Sequence, residues 1–301
     1  MSSVLSRYLD AEALGRMLHR RIEPRGLVQG NLAGAHKSPL SGFAVEFAGH
    51  REYAPGDDPK HVDWRVYFRR DKFFIKQYEL ETNFVCHLIL DCSASMRYGQ
   101  GDEQKLRYAA RLATTLGHKI VLESDKVSLA TFDQQVLGFV PPSNSMTQIT
   151  RITEHLDKIQ PREKTDLPAC LSELAGRTLR REIVMVFSDF FTDLDALEPV
   201  LQRLKYQRHE VVLFQVLHHD ELAFDFSGMT KFVGLEVDEI MLAEPHELRA
   251  AYLKALGEFN DRFEAICQGN RCERVVVDTR REMAEVLIDY LNQLSRLNRR
   301  R

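Results

Sequence analysis

The sequence has no excess of charge of either sign and no long apolar run, and each absence excludes a class of protein. Its 41 Lys and Arg residues stand against 44 Asp and Glu residues, for a net charge of -3. A protein that binds nucleic acid through its overall charge needs an excess of basic residues, which this chain lacks. No apolar run approaches the roughly 18 residues that span a bilayer, and residues 1–21 lack the apolar core of a signal peptide. These features predict a cytoplasmic protein that neither binds nucleic acid nor spans a membrane.

Cysteines are few, and the common nucleotide-binding motifs are absent. None of the five cysteines forms a CxxC pair, so we expect reduced, mostly buried thiols rather than a zinc site. The chain has neither a GxxxxGKS nor a GxxxxGKT motif, and no GxGxxG motif follows its first buried strand. A P-loop ATPase and a dinucleotide-binding enzyme are therefore not expected.

What the sequence does have is an alternation of apolar strands and helices from about residue 84. The strand-like runs are "FVCHLIL", "KVSLATF", "EIVMVF", "EVVLFQVL" and "RVVVD". Helical stretches are predicted at 103–122, 145–160, 167–180, 193–206, 245–267 and 280–297. The segment "VLGFVPP" predicts a short antiparallel edge strand. The alternation predicts an α/β fold whose mostly parallel sheet is covered by helices on both faces.

Residues 1–81 have a different texture, because Gly, Pro, Asn and Asp cluster between short apolar pieces. The first twenty residues predict one helix, and the remainder predicts loops and short strands. Asp63 and Trp64 are interpreted as a hydrogen-bonded, packed anchor. We therefore divide the chain into an N-terminal segment, 1–81, that packs on a main α/β domain, 82–301.

Oxygen-bearing side chains follow two of the predicted strands and precede one helix. They are Asp91, Ser93 and Ser95 after "FVCHLIL", Thr165 before the helix at 167–180, and Asp189 after "EIVMVF". Each has a simpler explanation by itself, since serines start turns and Thr165 or Asp166 can cap a helix. Ligands of open parallel sheets, however, bind outside the carboxyl ends of the strands. If the two strands are neighbours, these side chains meet and form a metal site.

Carboxylate and hydroxyl oxygens without His or Cys favour Mg²⁺, or Mn²⁺, over zinc. Asp91 and Asp189 alone supply negative charge in this set, and the three hydroxyls are neutral. A metal held in this way stays electrophilic and accepts a carboxylate from outside. The residues thus predict a docking device rather than an enzyme.

Two alternatives remain open at this point. A second polar cluster follows "EVVLFQVL" and comprises His218, His219, Asp220 and Glu221. With the same Mg²⁺ it can supply the acid–base groups of a metal-dependent hydrolase. The third possibility is a scaffold whose metal site is empty.

The pattern of site residues resembles the von Willebrand factor A domain with its metal-ion-dependent adhesion site. That motif is DxSxS after the first strand, a Thr before a helix and an Asp after the fourth main strand. The resemblance implies a Rossmann-like fold and a bound Mg²⁺ that an acidic side chain of a protein partner completes. The Thr loop here is "REKTDL", where many members of that family have paired glycines.

The N-terminal segment narrows the resemblance, because it is similar to the signature of the bacterial family called domain of unknown function 58. The signature positions are Ser38, Gly42, Phe47, Arg51, Tyr53, Pro55, Gly56, Asp57, Asp58, Asp63, Trp64 and Arg69. Such proteins resemble partners of MoxR-type AAA+ ATPases. The resemblance therefore implies an adaptor or co-chaperone in the maturation of protein complexes.

Overall fold

The computed structural model describes residues 2–20, 22, 33–37, 46–54, 57, 59, 62–79, 81–82, 84–159, 164–178, 181–235 and 240–299. The chain divides into two compact units. One combines Met1–Arg25 with Val85–Arg301, and the other is Gly26–Phe84. The division thus differs from the predicted one, since residues 1–25 belong with the larger unit. The expected packing of segment 1–81 on the main domain stays a prediction.

Two short helices begin the chain, α1 (Ser2–Tyr8) and α2 (Ala11–Met17), where one long helix was predicted. That prediction is wrong because Asp10 has an extended backbone and caps α2. Its Oδ1 accepts a hydrogen bond from the Ala13 N–H at 3.0 Å. An aspartate that satisfies the first N–H groups of a helix marks a start, so the first helix ends before it.

In the part of the smaller unit that the structure describes, we find four short strands and one helix. They are β1 (Ala33–Lys37), β2 (Glu46–Glu52), α3 (Trp64–Arg70), β3 (Phe74–Glu79) and β4 (Glu81–Thr82). The strands form two antiparallel pairs, β1 with β4 and β2 with β3. Asp63 caps α3 and contacts His50, as its predicted hydrogen-bonding role requires. Trp64 is 54% exposed and packs edge to face on Tyr67 and Phe73, with ring centroids 6.1 and 6.2 Å away, and its role as an anchor on the main domain stays a prediction.

Five positions of the family signature lie outside the described residues. They are Ser38, Gly42, Pro55, Gly56 and Asp58.

The larger unit continues from residue 85 with alternating strands and helices. They are β5 (Val85–Asp91), α4 (Lys105–Leu122), β6 (Lys126–Phe132), β7 (Val136–Ser143), α5 (Thr147–Leu156), α6 (Leu167–Arg177), β8 (Ile183–Ser188), α7 (Leu194–Tyr206), β9 (Glu210–Leu217), α8 (His219–Ala223), β10 (Thr230–Val233), β11 (Ile240–Ala243), α9 (Pro245–Asn270), β12 (Glu273–Asp278) and α10 (Met283–Arg299). The five predicted strands correspond to β5, β6, β8, β9 and β12. The predicted helices are all present, with ends that differ by a few residues.

Six of these strands form one sheet in the order β12-β9-β8-β5-β6-β7. All neighbours are parallel except β6 and β7, which are antiparallel. The predicted antiparallel edge strand is therefore confirmed as β7. The four inner strands, β9, β8, β5 and β6, are buried almost throughout, as helices on both faces require.

Helices cover the two faces of this sheet in separate groups. On one face α6, α7 and α9 pack on alternate strand residues such as Ile89, Val186 and Leu213. On the other face α4 lies close to β5, and Tyr290 of α10 contacts Phe214 of β9 with ring centroids 5.2 Å apart. The predicted fold class, a von Willebrand factor A-like, Rossmann-like α/β sheet with an N-terminal helix and short-strand segment, is confirmed. Among the described residues, we find no helix of the length and apolarity that a bilayer crossing requires.

Candidate metal centre

The predicted site residues lie at the carboxyl ends of β5 and β8, which are neighbours in the sheet. The register pairs Leu90 with Phe187, so Asp91 and Ser188 end adjacent strands. From β5 the chain continues to β6 on one side, and it returns to β8 on the other. Such a reversal of strand order opens a crevice at the strand ends, where ligands bind in open α/β sheets. The two strands are neighbours, as the predicted metal site requires.

Asp91 is the centre of the cluster and is fully buried. Its Oδ1 accepts a hydrogen bond from the Ser93 N–H at 2.9 Å. Its Oδ2 accepts one from the Ser188 hydroxyl at 2.6 Å, and the Thr165 hydroxyl lies 3.5 Å from the same oxygen. The carboxylate is therefore held in one orientation by the turn that follows its own strand and by the neighbouring strand.

The two serines of the motif lie side by side because a short 3₁₀ turn, Ala94–Arg97, begins directly after Ser93. The hydroxyl oxygens of Ser93 and Ser95 are 3.1 Å apart. Ser93 is buried, whereas Ser95 is half-buried. The turn thus places one hydroxyl beneath the surface and one at its edge.

Thr165 is positioned by the next residue, Asp166, which two hydrogen bonds hold in place. The Asp166 N–H donates to the Asp133 carbonyl at 3.0 Å, which ties the loop to the end of β6. The Asp166 side chain accepts from the Ala169 N–H at 3.1 Å and so caps α6. Thr165 is half-buried. The capping role expected of this segment is confirmed, and it falls to Asp166 rather than to Thr165.

Asp189 follows β8 directly and is 1% exposed. The next residue, Phe190, has a left-handed backbone with φ of 59°. That conformation is costly for a bulky residue, and tertiary contacts must hold it in place. The Phe190 N–H donates to the Ser188 hydroxyl at 3.0 Å, and its ring packs on Phe263 at 5.0 Å between centroids. The turn at Phe190 keeps Asp189 at the end of the sheet.

The charge of Asp91 is disfavoured in this buried position. Burial first and the neighbouring Asp189 second raise the pKa of Asp91, hydrogen bonds from Ser188 and Ser93 lower it, and the net pKa is about 7. A carboxylate pair out of contact with water is stabilised by a nearby cation. The electrostatics of the cluster therefore favour an added positive charge.

A lysine that the sequence prediction missed supplies one such charge. The Lys105 ammonium donates to Asp189 Oδ2 and to Glu221 Oε1, both at 2.8 Å, and the side chain is 1% exposed. Burial by itself lowers the pKa of Lys105, but Asp189 and Glu221 more than offset this, so the pKa lies above its ordinary value. Lys105 is the first residue of α4, a place where a lysine is normally a solvated surface residue, so no local signal marks it.

The cluster at 218–221 forms the start of α8. His218 Nδ1 accepts from the Asp220 N–H at 3.2 Å, and Glu221 Oε2 accepts from the His218 N–H at 2.8 Å, which is a capping box. His219 Nδ1 lies 2.9 Å from Asp278 Oδ2 at the end of β12. Glu221 is connected to the candidate site indirectly, through its ion pair with Lys105. These contacts are structural, and the hydrolase alternative stays a prediction.

The donor set of the site is compatible with a hard divalent ion. All five predicted ligands, Asp91, Ser93, Ser95, Thr165 and Asp189, offer oxygen, and two of them carry charge. Burial and the neighbouring Asp189 raise the pKa of Asp91, and a cation at the site would oppose both effects. Ser95 and Thr165 are half-buried, which leaves the site open on one side. This arrangement suits a module for protein interaction.

Comparison with known proteins finds similar sequences in mycobacteria. The uncharacterized protein Rv1480 of Mycobacterium tuberculosis is 23% identical over 193 residues, which are 63% of this chain and 60% of that protein. The match thus spans less than two thirds of the relative's length.

Two solved structures are similar to part of this chain. One is an aerotolerance-related membrane protein from Bacteroides fragilis (TM-score 0.45, 18% identity, covering 70% of this chain and 100% of that one). The other is the SpRpn10 VWA domain (TM-score 0.39, 13% identity, covering 69% of this chain and 95% of that one).

Residues 49–261 match the model of the family described as protein of unknown function DUF58. The chain belongs to the DUF58 family.

Proposed function

We propose that this chain is a protein-interaction module that binds an acidic side chain of a protein partner through Mg²⁺, or Mn²⁺, at the ends of β5 and β8. The observation that carries the proposal is the convergence of Asp91, Ser93, Ser95 and Thr165 around one buried carboxylate, with Asp189 beside it. Three separate segments of backbone are held so that these oxygens lie at the strand ends. A helix cap or a turn alone needs only one of them.

Each residue has a distinct part in this proposal. Asp91 and Asp189 supply the charge that holds the ion, and the Ser93 and Ser95 hydroxyls supply neutral oxygens. Thr165 lies at the open side, next to the position that an incoming carboxylate takes. Mg²⁺ is octahedral and usually retains waters, so it has a position to exchange for a partner's oxygen.

The partner we propose is an AAA+ ATPase of the MoxR type, for which this chain acts as adaptor or co-chaperone in protein complex maturation. Support comes from the family resemblance and from the sequence, in which no P-loop motif is present. A module of this kind depends on a partner for the energy of ATP hydrolysis. The cytoplasmic location expected from the sequence accompanies this proposal.

The metal part is tested by titrating the purified chain with Mn²⁺ and measuring free Mn²⁺ by electron paramagnetic resonance. Asp91→Asn removes a charged ligand without changing size, and we expect it to weaken binding by at least about 100-fold, equivalent to about 2.7 kcal/mol. Thr165→Val removes one hydroxyl and should weaken binding by about 10-fold, or about 1.4 kcal/mol.

Thr153→Val is the matched control for Thr165→Val. Thr153 is buried in α5, where its hydroxyl donates to the Thr150 carbonyl at 3.0 Å. This variant should bind Mn²⁺ as the parent does. Binding that is unchanged in Asp91→Asn contradicts the proposed site.

The partner part is tested by affinity capture from native lysate, with Mg²⁺ and with EDTA. Capture of an AAA+ ATPase that is lost both with EDTA and with Asp91→Asn supports metal-bridged docking. Capture that neither change affects shows that the partner uses another surface, and it overturns the docking role of this site.

A further inference from the structure

Lys105 already pairs with Asp189, one of the two charged residues of the proposed metal site. Its ammonium donates to Asp189 Oδ2 at 2.8 Å, while the Phe191 N–H donates to Asp189 Oδ1 at 3.2 Å. A divalent ion bound to Asp189 Oδ2 would stand next to a second cation with little water to screen the two charges. One oxygen of Asp189 therefore has two competing cations.

Glu221 gives the ammonium a second position. Its Oε1 lies 2.8 Å from Lys105 Nζ, while its Oε2 accepts from the His218 N–H at the start of α8. The ring of Phe191 lies 5.8 Å from the ammonium and adds a weak cation–π attraction. Lys105 can thus release Asp189 and still keep a half-buried carboxylate partner. A buried charge that loses all its partners would be strongly destabilising.

We infer that Lys105 is an internal competitor of the divalent ion, which must give up Asp189 to the metal and retain Glu221 when the metal binds. The inference rests on the proposed function, since it concerns the metal of that same site. The affinity of the site for metal then depends on the free-energy difference between the Asp189–metal ion pair and the Asp189–Lys105 ion pair. Lys105 and Glu221 are positioning residues in this scheme, with opposite effects on affinity.

Because Lys105 and Glu221 have opposite effects on metal affinity, substituting each in turn tests the inference. In Lys105→Met the competitor is gone, and Mn²⁺ should bind at least about 10-fold more tightly, equivalent to about 1.4 kcal/mol. In Glu221→Gln the ammonium has lost its second carboxylate and is held by Asp189, so Mn²⁺ should bind several-fold more weakly. A structural role alone would weaken binding in both variants, because both would loosen the site.

Lys119→Met is the matched control. Lys119 lies on the same helix, is 6% exposed and pairs with Glu123 at 2.9 Å. It lies near the far end of α4 from the strand ends, so its loss should leave the Mn²⁺ affinity unchanged. The measurement is again free Mn²⁺ by electron paramagnetic resonance on the full chain, with the thermal midpoint recorded in parallel.

The possible results distinguish failure of the Lys105 competition from failure of the metal site. Equal affinity in the parent and in Lys105→Met overturns the inference and leaves the proposed metal site standing. Absence of Mn²⁺ binding in every variant, Lys105→Met included, overturns both. If Lys105→Met does not fold, Glu221→Gln decides, since tighter or unchanged binding there contradicts the competition.

Discussion

The Ser188 hydroxyl joins the two halves of the candidate site. It donates to Asp91 Oδ2 at 2.6 Å and accepts from the Phe190 N–H at 3.0 Å, and the residue is 1% exposed. One oxygen thus orients the central carboxylate and holds the left-handed turn that carries Asp189. Since both contacts are buried, removing the hydroxyl leaves two polar groups that water cannot reach.

Ser188→Ala should therefore reduce the free energy of unfolding, and more so at high pH. The pKa of Asp91 is raised from 3.8 to about 7, so its stabilising protonated form is lost as the pH rises through 7. The Ser188 bond favours the carboxylate and opposes that loss. In EDTA, we expect a cost of roughly 2 kcal/mol at about pH 8.5 and of about 1 kcal/mol at about pH 5. Urea unfolding at the two pH values measures both.

Thr114→Val is the control for this prediction. The Thr114 hydroxyl is buried and has no hydrogen-bond partner among the described residues. Replacing it with a methyl group of similar size should be neutral or slightly stabilising at both pH values. A cost for Ser188→Ala that is the same at both pH values would show that the Asp91 bond is not its source.

The site residues that could be predicted from the sequence are those whose position in the chain reveals their role. Asp91 and Asp189 directly follow buried strands, and parallel strands bring their carboxyl ends to one edge. Lys105 could not be found in this way, because its partners lie 84 and 116 residues away and its own segment looks like an ordinary helix start. Its burial is a property of tertiary packing alone.

At the scale of elements, the strands were predicted well because their burial on both faces leaves uninterrupted apolar runs. The helices were predicted with small errors at their ends, where capping decides and apolar spacing does not. The break between α1 and α2 was missed because the apolar spacing continues across it. Asp10 was the available signal, since an aspartate three residues before a helical N–H is a natural cap.

Helix α4 approaches the central strand β5 closely at Gly117. A Cβ at Gly117 would stand 3.0 Å from Leu88 Cδ1 on β5. We therefore expect Gly117→Ala to lower the free energy of unfolding by about 1–3 kcal/mol through overpacking. Gly257 in α9 is exposed, and a Cβ there would meet nothing within 4 Å. Gly257→Ala should raise stability by up to about 1 kcal/mol, since alanine is the better helix former.

Chemical denaturation of the two variants beside the parent tests this contrast. Stabilisation by both substitutions would mean that α4 has room against β5, contrary to the close approach described above.

At the scale of the whole molecule, the cysteines report on the intact fold. The sequence predicted mostly buried thiols, and this is confirmed: Cys86, Cys92, Cys170 and Cys267 are buried, and Cys272 is half-buried. Burial raises the pKa of Cys170 and of Cys267 to about 12 and that of Cys86 and Cys92 well above the ordinary value. Thiolates, the reactive form, are therefore scarce in the native protein.

An aromatic disulfide reagent should consequently label at most Cys272 rapidly in the native chain. All five thiols should react in guanidinium, and the slow native reaction of the other four should follow global unfolding. Absorbance of the released thiolate measures both phases. Rapid reaction of two or more thiols without denaturant would contradict the burial described here.

The strand order also determines when the site can form. The first half of the cluster ends β5, and its hydrogen-bond partner Ser188 lies 97 residues later, at the end of β8. Pairing of β5 with β6 is local, whereas β8 pairs with β5 only after β7, α5 and α6 have intervened, and such non-local contacts form late in folding. A nascent chain that has emerged only as far as α6 has "DCSAS" but lacks both Ser188 and Asp189. Recruitment through this site would therefore select for chains whose synthesis has passed β8.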